Sequence, residues 1–436
     1  MAVVLSIAGS DPIGGAGIEA DIKAIASMGA HGAVVLSAIT AQNTVEVLDM
    51  FPLPPEQIIS QLNAVLDDVK PDAVKTGMLH SAATVKAISS LLKELDVPLV
   101  IDPVLFAGVG TALHQEDLAN ALTKELFPIA TVITPNKEEA EALSGMVITD
   151  GDSLDRVGRR LLDMGPEAVL LKGGHLGGEM AVDALYTKDE IYELASPRLD
   201  RQVHGAGCTL SSFIACGLAS GLTTKEAVKE AKRRIYDSIA MAVPVGRGSL
   251  CINPSATLYK EAMRHAVQEA VRSGVGIIED RMPPQMVPEV GLNLAYALPY
   301  PQGYGEVCGV EGRLVRAGDR VCRVGEVRFG GSRHIARVVM AAQAFDPEAR
   351  CAMNLRFSEE NVERLRRSGL VVASFDRAGE PDMVSSMEWG TAEAIKVIGN
   401  VPDVIFDRGG VGKEPMIRVL GRDPGHVLFK IIEFLK

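Results

Sequence analysis

The sequence predicts a doubly wound α/β domain, a mostly parallel sheet with helices on both faces, over roughly its first 250 residues, and a second, smaller α/β domain behind it. Three observations carry this. Short apolar runs alternate with longer stretches of helical period. The 436 residues exceed one ordinary core, for which about 100–200 residues is typical. A glycine- and proline-broken stretch interrupts the alternation at 244–254 (PVGRGSLCINP).

The apolar runs lie at 3–8, 33–39, 73–75, 99–101, 131–133 and 168–171. They are near-continuous, as strands buried on both faces are. Segments of helical period separate them, clearest at 18–28, 56–66 and 83–95. At 180–194 the pattern changes to two strands around a Thr187–Lys188–Asp189 turn, a hairpin. Helices are predicted at 208–220 and 225–242, and an amphipathic one at 256–273 after the break. A proline-rich stretch at 281–288 (RMPPQMVP) leads into the remaining strands and helices, and no internal repeat relates the halves.

Composition is that of a globular chain, 47% hydrophobic and 23% charged, with net charge −12. Such a charge argues against a general nucleic-acid or membrane-surface binder, which needs clustered Lys and Arg. The start, MAVVLSIAGSDP, lacks a basic leader and turns at once into glycines, so it reads as a first strand. No stretch approaches the ~18–20 apolar residues of a membrane span. The six cysteines show no zinc spacing and read as free thiols of a reducing cytoplasm.

The most informative segment is His204-Gly205-Ala206-Gly207-Cys208-Thr209, ahead of an apolar helix. Glycines at a helix start let the backbone approach a ligand, and the first amides point outward with the helix dipole behind them. A cysteine there is expected to have a lowered thiol pKa and to act as a base. On these residues alone, a plain glycine turn with a buried cysteine reads equally well. The context adds weight. A strand ends in the glycine loop AGSDPIGGAGIEAD, which carries Gly9 and Asp21 and is neither G-x-G-x-x-G nor a Walker loop. Asp102 ends another strand, Asn136 and Glu139 open a helix after a third, and Lys172 ends a fourth beside two glycines. All fall on one sheet edge, and the set suits Mg²⁺ and phosphate.

In order along residues 1–250, the motifs AGSDPIGGAGIEAD, TAQNT, KTGM, DPV, TPN-x-x-EAE, KGGH and HGAGCTLSS resemble the hydroxymethylpyrimidine/phosphomethylpyrimidine kinases of the ribokinase superfamily. The resemblance implies an ATP-dependent, Mg²⁺-using kinase that phosphorylates the pyrimidine alcohol and then its phosphate. It assigns Gln42 to the aminopyrimidine edge, with Gly9, Asp21, Met78 and Val104 in the same pocket. Lys172 would contact nucleotide phosphate, and Asn136 with Glu139 would hold Mg²⁺ directly or through water, beside Asp102. Gly205, Ala206, Gly207 and Cys208 would form the anion hole, with Cys208 the catalytic base. Ile13, Leu105 and Ala206 depart from the family's usual Ser, Met and Thr. A vitamin B6 kinase is the alternative, although its typical members carry Asp where Cys208 stands.

In the second half, 311–337 holds seven arginines against three carboxylates, which reads either as anion recognition or as a solvated basic face. The loop DRGGVGKE at 407–414 fails as a P-loop, because Asp407 and Glu414 replace required residues. It reads as an anion-binding loop or a surface turn. Trp389, the only tryptophan, reads as structural or as a cover for an aromatic ligand. PEVGLNLAYAL, EGR…FGGSRH, SMEWG and DRGG-x-GKEP resemble the archaeal-type thiamine-phosphate synthase domain. That likeness implies domains at 1–250 and 258–436 with a linker at 251–257. It also implies condensation of the pyrimidine diphosphate with thiazole phosphate, with Arg313 and His334 as functional residues. The rival is a non-catalytic thiamine-phosphate sensor, the form that the same domain takes behind DNA-binding modules. The partners implied are small molecules, without nucleic acid or membrane, in a homo-oligomer.

Overall fold

Near-continuous apolar strands must be covered on both faces, and both units of the chain meet that demand. The computed structural model describes residues 1–105, 117–173, 178–380 and 385–435. Its chain divides into two compact units, Met1–Leu258 and Tyr259–Lys436.

The first unit runs β1 (Val3–Ala8), α1 (Gly17–Ser27), β2 (His31–Leu36), β3 (Ala38–Gln42), β4 (Val47–Pro52), α2 (Pro55–Leu66), β5 (Ala73–Thr76), α3 (Ala82–Leu92) and β6 (Leu99–Ile101). It continues with α4 (Leu118–Ala121), β7 (Val132–Ile133), α5 (Lys137–Ser144), α6 (Gly151–Leu162), β8 (Ala168–Leu171), β9 (Met180–Thr187) and β10 (Ile191–Pro197). It closes with β11 (Val203–His204), α7 (Ala206–Ala219), α8 (Thr224–Ala240) and β12 (Leu250–Cys251).

The main sheet has the order β10-β9-β8-β7-β6-β5-β1-β2. From β2 to β8 all pairings are parallel, and β9 and β10 add antiparallel strands at one edge. Alternate residues feed two cores. Leu5 and Ile7 of β1 join Ile58, Leu62 and Ile88 of α2 and α3. Val4 joins Ala20 and Ala24 of α1 and the buried face of α7. The order reverses between β1 and β5, and this switch point is where an open α/β sheet leaves a crevice.

One sequence expectation needs correction. The apolar run 33–39 is not a single strand. Ser37 interrupts it, with its O–H donating to the Met78 carbonyl and its carbonyl accepting from the Leu53 amide. β2 therefore stays in the main sheet, while β3 leaves it to form a two-stranded flap with β4. Apolarity alone could not reveal the break, because both pieces are apolar.

The second unit opens within α9 (Ala256–Arg281). It comprises β13 (Leu294–Ala297), β14 (Val307–Val310), β15 (Leu314–Ala317), β16 (Arg320–Arg323), β17 (Val327–Phe329), α10 (Arg333–Gln343) and β18 (Cys351–Arg356). Then come α11 (Glu359–Arg367), β19 (Val372–Ser374), α12 (Ser386–Ile398), β20 (Val404–Asp407), β21 (Met416–Gly421) and α13 (Pro424–Lys430). Its seven-stranded sheet, β17-β14-β13-β18-β21-β20-β19, is antiparallel except for β19 with β20. α9, α11 and α13 cover one face, and α10 with α12 the other. Among the described residues no helix is long and apolar enough to cross a membrane.

Close packing makes one glycine a test of the first unit. A Cβ on Gly158 of α6 would lie 2.5 Å from the ring of Tyr186, which is buried and donates its O–H to Asp155. Alanine gains about 0.8–1 kcal/mol of helix propensity, but overpacking costs about 1–3 kcal/mol. Gly158→Ala is expected to lower stability by about 1 kcal/mol net, read as a lower denaturant midpoint of the full chain. A raised midpoint would mean that the ring yields freely.

Candidate active sites

In the first unit the carboxyl ends of the parallel strands open on a cleft of about 1070 Å³. Gly9 follows β1, Met78 lies just beyond β5, and Asp102 and Val104 follow β6. Asn136 and Glu139 follow β7, Lys172 follows β8, and Gln42 arrives from the flap. Gly205, Ala206, Gly207 and Cys208 complete the lining from the start of α7. The strand ends placed Gly9, Asp102, Asn136, Glu139 and Lys172 at one edge, the family resemblance added the others, and they share one cleft. The second glycine and the histidine of KGGH, Gly174 and His175, lie outside the described residues.

Asp21 is the exception. It does not line the cleft but lies fully buried beneath it. Its carboxylate accepts from Ser6 Oγ at 2.6 Å, Ser212 Oγ at 2.8 Å and Lys75 Nζ at 2.8 Å. Those three bonds and its burial leave it facing the core, so its place is the floor of the site. Lys75, also fully buried, went unremarked in the sequence because it sits inside an apolar strand pattern. Burial opposes its charge, but Asp21, Cys208 and Asp102 together push its pKa upward.

The start of α7 is forced by geometry. Gly205 caps it with φ +92°, and a Cβ there would lie 1.7 Å from the Gly15 carbonyl oxygen. A Cβ on Gly207 would crowd Lys172 Nζ at 3.3 Å and Asp102 Oδ2 at 3.4 Å. The first-turn amides of Ala206, Gly207 and Cys208 have no carbonyl four residues back within the helix and are free to serve an anion. The expected low thiol pKa is overturned. Burial raises Cys208 to about 11, with Asp21 and Asp102 adding to it, and Lys75 pulls only partly the other way. A helix tip lowers a thiol; here the packing around the half-buried side chain and the two carboxylates outweigh it.

Lys172 lies 3.1 Å from Asp102 and 4.0 Å from Glu139. Thr134 Oγ1 donates to Asp102 at 3.1 Å. Asn136 and Glu139 form the capping box of α5: Asn136 accepts from the Glu139 amide at 2.8 Å, and Glu139 accepts from the Asn136 amide at 2.9 Å. Burial and the neighbouring Asp102 raise Glu139 to about 7, against Lys172. Asp102 and Glu139 are hard oxygen donors of the kind Mg²⁺ takes, and Mg²⁺ normally needs only one or two carboxylates besides phosphate and water. Among the described residues no three ligating side chains cluster, and two carboxylates fit that pattern.

Two residues absent from the predicted site set also reach the cleft. His204 Nε2 lies 2.8 Å from Gln42 Nε2 and 3.2 Å from Asp11 Oδ2. Both sit inside the motifs already singled out, but only the fold brings them together.

In the second unit the arginine-rich segment splits. Arg316, Arg320 and Arg323 of the β15–β16 hairpin are exposed, and Arg328 pairs with Glu311. These behave as a solvated face. Arg313 and Arg337 instead join Arg418 and Arg377 around His334. Gly312 and Arg313 both take positive φ, +68° and +79°, and the Arg313 guanidinium donates to the Val290 carbonyl. A non-glycine residue held there carries backbone strain of about 1–3 kcal/mol. His334, in the first turn of α10, is lowered to about 4, first by the packing around its ring and then by Arg418, Arg313, Arg337 and Arg377. The surrounding guanidinium charge thus favours the neutral ring.

Asp407 ends β20 and binds Arg377 at 2.6 and 3.1 Å and Arg418 at 2.8 Å. Arg418 is fully buried, and its Nη1 has no hydrogen-bond partner. The loop after Asp407 is a hub of cross-links. Lys413 pairs with Glu380 at 2.7 Å, and Glu414 accepts from the Glu289 and Val290 amides at 2.9 and 3.0 Å. Trp389 packs edge-on against Phe375, as a structural residue does.

The comparisons with known proteins divide the chain as its geometry does. A family model described as phosphomethylpyrimidine kinase matches residues 11–253, and one described as thiamine-phosphate synthase ThiN matches 270–433. A bifunctional thiamine biosynthesis protein ThiDN from Methanocaldococcus jannaschii is 35% identical over 98% of this chain and 97% of its own length. A hydroxymethylpyrimidine/phosphomethylpyrimidine kinase from Streptomyces coelicolor is 44% identical over 56% of this chain and 91% of its own. Among solved structures, a phosphomethylpyrimidine kinase from Clostridium difficile superposes with TM-score 0.50 at 41% identity, over 55% of this chain and all of that one. A pyridoxal kinase from Bacillus subtilis, solved as an ADP complex, gives 0.55 at 34% identity, over 59% and 99%.

Glu139 provides a pH test. Its folded pKa lies above the unfolded value near 4.5, so its stabilising contribution is full below about pH 4.5 and is lost as pH rises to about 7. Glu139→Gln is expected to remove that part of the decline, measured as thermal midpoints between pH 4.5 and 8. Parallel curves for both proteins would refute the raised pKa.

Proposed function

The chain belongs to the phosphomethylpyrimidine kinase family and carries a thiamine-phosphate synthase domain behind the kinase; from that membership we propose how its residues divide the work. It is a bifunctional enzyme of thiamine biosynthesis. One part uses ATP to phosphorylate 4-amino-5-hydroxymethyl-2-methylpyrimidine to its monophosphate and then its diphosphate. The other joins the diphosphate to thiazole phosphate and releases pyrophosphate.

The residue assignment rests on one observation: the amide tip of α7, Lys172 and Gln42 share a single cleft. Gln42 holds the pyrimidine, with Gly9, Met78 and Val104 around it. The amides of Ala206, Gly207 and Cys208 receive the transferred phosphoryl group, and Lys172 neutralises nucleotide phosphate. Mg²⁺, held by Asp102 and Glu139 with Asn136 through water, would neutralise phosphate charge. In a loose transition state the substrate hydroxyl loses its proton late, so positioning matters more than strong base catalysis. Cys208 takes that proton. With a thiol near 11, its competent fraction grows as pH rises.

In the second unit Arg313 faces the leaving pyrophosphate, with the buried Arg418 adding positive charge behind it, and His334 gives it a proton. The same guanidinium groups that keep His334 neutral are the ones an incoming anion would neutralise. The ring would then gain its proton only when the diphosphate is bound. We place the enzyme in the cytoplasm, where its six free thiols persist. Turnover of pyridoxal is a side activity to be measured, given the shared architecture of pyridoxal kinases.

Purified full-length protein incubated with ATP, Mg²⁺, the pyrimidine alcohol and thiazole phosphate is expected to yield thiamine phosphate. A halt at the diphosphate would mean that the second domain only senses its ligand. Cys208→Ala should cut both phosphoryl transfers about 10²–10⁴-fold and leave condensation of supplied diphosphate intact, while Arg313→Ala or His334→Ala does the reverse. Wild-type phosphorylation should climb with pH through the alkaline range. A flat profile from pH 7 to 9 would exclude Cys208 as the base.

A further inference from the structure

His204 belongs to no role assigned so far, yet it stands against the residue that reads the substrate. The register of β3 against β4 slips between Ala41, opposite Asp49, and Gln42, opposite Val47. A bulge of this kind re-aims a side chain. It sends Gln42 into the cleft, with its amide 2.8 Å from His204 Nε2. The same ring nitrogen lies 3.2 Å from Asp11 Oδ2.

Asp11 is firmly seated. It is buried, and it accepts from the amides of Ile13 at 3.1 Å, Gly15 at 3.0 Å and Ala16 at 2.8 Å. Burial alone would raise its pKa, but His204 and these amides outweigh it and hold the carboxyl below the usual range. An ionised carboxylate only accepts, so the histidine nitrogen facing it must carry hydrogen. A ring nitrogen that donates cannot face the NH₂ of Gln42. The two ends of an amide have nearly the same shape, and the hydrogen-bond network decides which is which. The one hydrogen on Nε2 is then shared between Asp11 Oδ2 and Gln42, which requires the amide to present Oε1 to His204. The NH₂ group and the second lone pair of Oε1 are left for the ligand.

We propose that His204, seated on Asp11, is a positioning residue that fixes the amide of Gln42, so that the cleft selects a ring acceptor beside an exocyclic amine and rejects the reversed pattern of the 4-oxo analogue. This deepens the aminopyrimidine reading and rests on it. Without His204 the amide can rotate and match either ligand, so discrimination falls while the phosphoryl-transfer machinery stays in place.

The test compares kcat and KM of the full chain, with ATP and Mg²⁺, for the 4-amino pyrimidine alcohol and its 4-oxo counterpart. Each mispaired hydrogen bond is worth about tenfold, so the wild type should prefer the amino alcohol by about 100-fold in kcat/KM. His204→Leu should bring that preference below about tenfold, mainly through KM. His204→Gln, which keeps an N–H at similar reach, should restore most of it. Should the leucine variant fail to fold, Asp11→Asn frees the ring tautomer and is expected to lower the preference likewise. An unchanged preference in a folded His204→Leu protein, with both substrates slowed equally, would overturn the proposal. A wild type inert toward the amino alcohol would instead remove the substrate reading beneath it.

Discussion

The architecture of the first unit turns on the buried pair Asp21–Lys75. Its 2.8 Å contact joins α1 to β5, Ser6 ties it to β1, and Ser212 ties it to α7. Those are the two strands flanking the switch point and the two helices that cover them. A buried pair of this kind is not strongly stabilising as a whole, because desolvation offsets most of the attraction. Breaking it is costly, about 3–5 kcal/mol, since one charge is left alone. The network therefore acts as a register pin. Any shift of α7 along the sheet separates Ser212 from Asp21 and strips a hydrogen bond from a buried carboxylate, so the tip of α7 is held where the strand ends converge.

The second unit uses the same device with the signs exchanged. Asp407 at the end of β20 holds Arg377 and Arg418, and burial of its carboxylate is outweighed by the two guanidinium groups. Here two cations share one anion. The excess positive charge is not cancelled locally, and it appears at His334 as a depressed pKa. In the first unit the Asp21–Lys75 pair balances one for one, and the anion is left to the neutral amides of a helix tip. In the second, the fold keeps guanidinium charge in surplus.

Much of this was legible in the sequence. Strand-end residues (Gly9, Asp102, Asn136 and Lys172) could be placed on one edge because parallel strands of an α/β sheet all point their carboxyl ends the same way, whereas Met78 came only with the family resemblance. The glycines before Cys208 announced a helix tip because only glycine tolerates the φ of Gly205 and its approach to Gly15. What escaped was whatever depends on depth or partnership. Asp21 looked like a ligand because its motif surrounds the cleft, but its burial is set by Ser212, 191 residues away. The thiol shift went the other way because local sequence shows the dipole of a helix and not the packing and the carboxylates that the fold brings beside it. The bulge at Gln42 depends on pairing between strands, and the arginine run split into a solvated hairpin and a site only when β15 and β16 folded away from the sheet.

That division between local and long-range information bears on substrate discrimination. Positive charge and free amides recognise any phosphate, so the anion-binding parts cannot separate one alcohol from another. Discrimination has to come from groups whose donors and acceptors are fixed in direction, and an amide side chain is not fixed by its own chemistry. It becomes directional only when a neighbour with a determined proton faces it. The three amides around Asp11 belong to the glycine loop that ends β1, and the histidine belongs to the residue that precedes the helix tip. The loop and tip that shape the phosphate site thus also set the hydrogen-bond polarity of the base-reading residue. A sequence change that preserved the glycines but lost Asp11 or His204 would keep phosphate affinity and lose the basis for choosing which hydroxyl receives it.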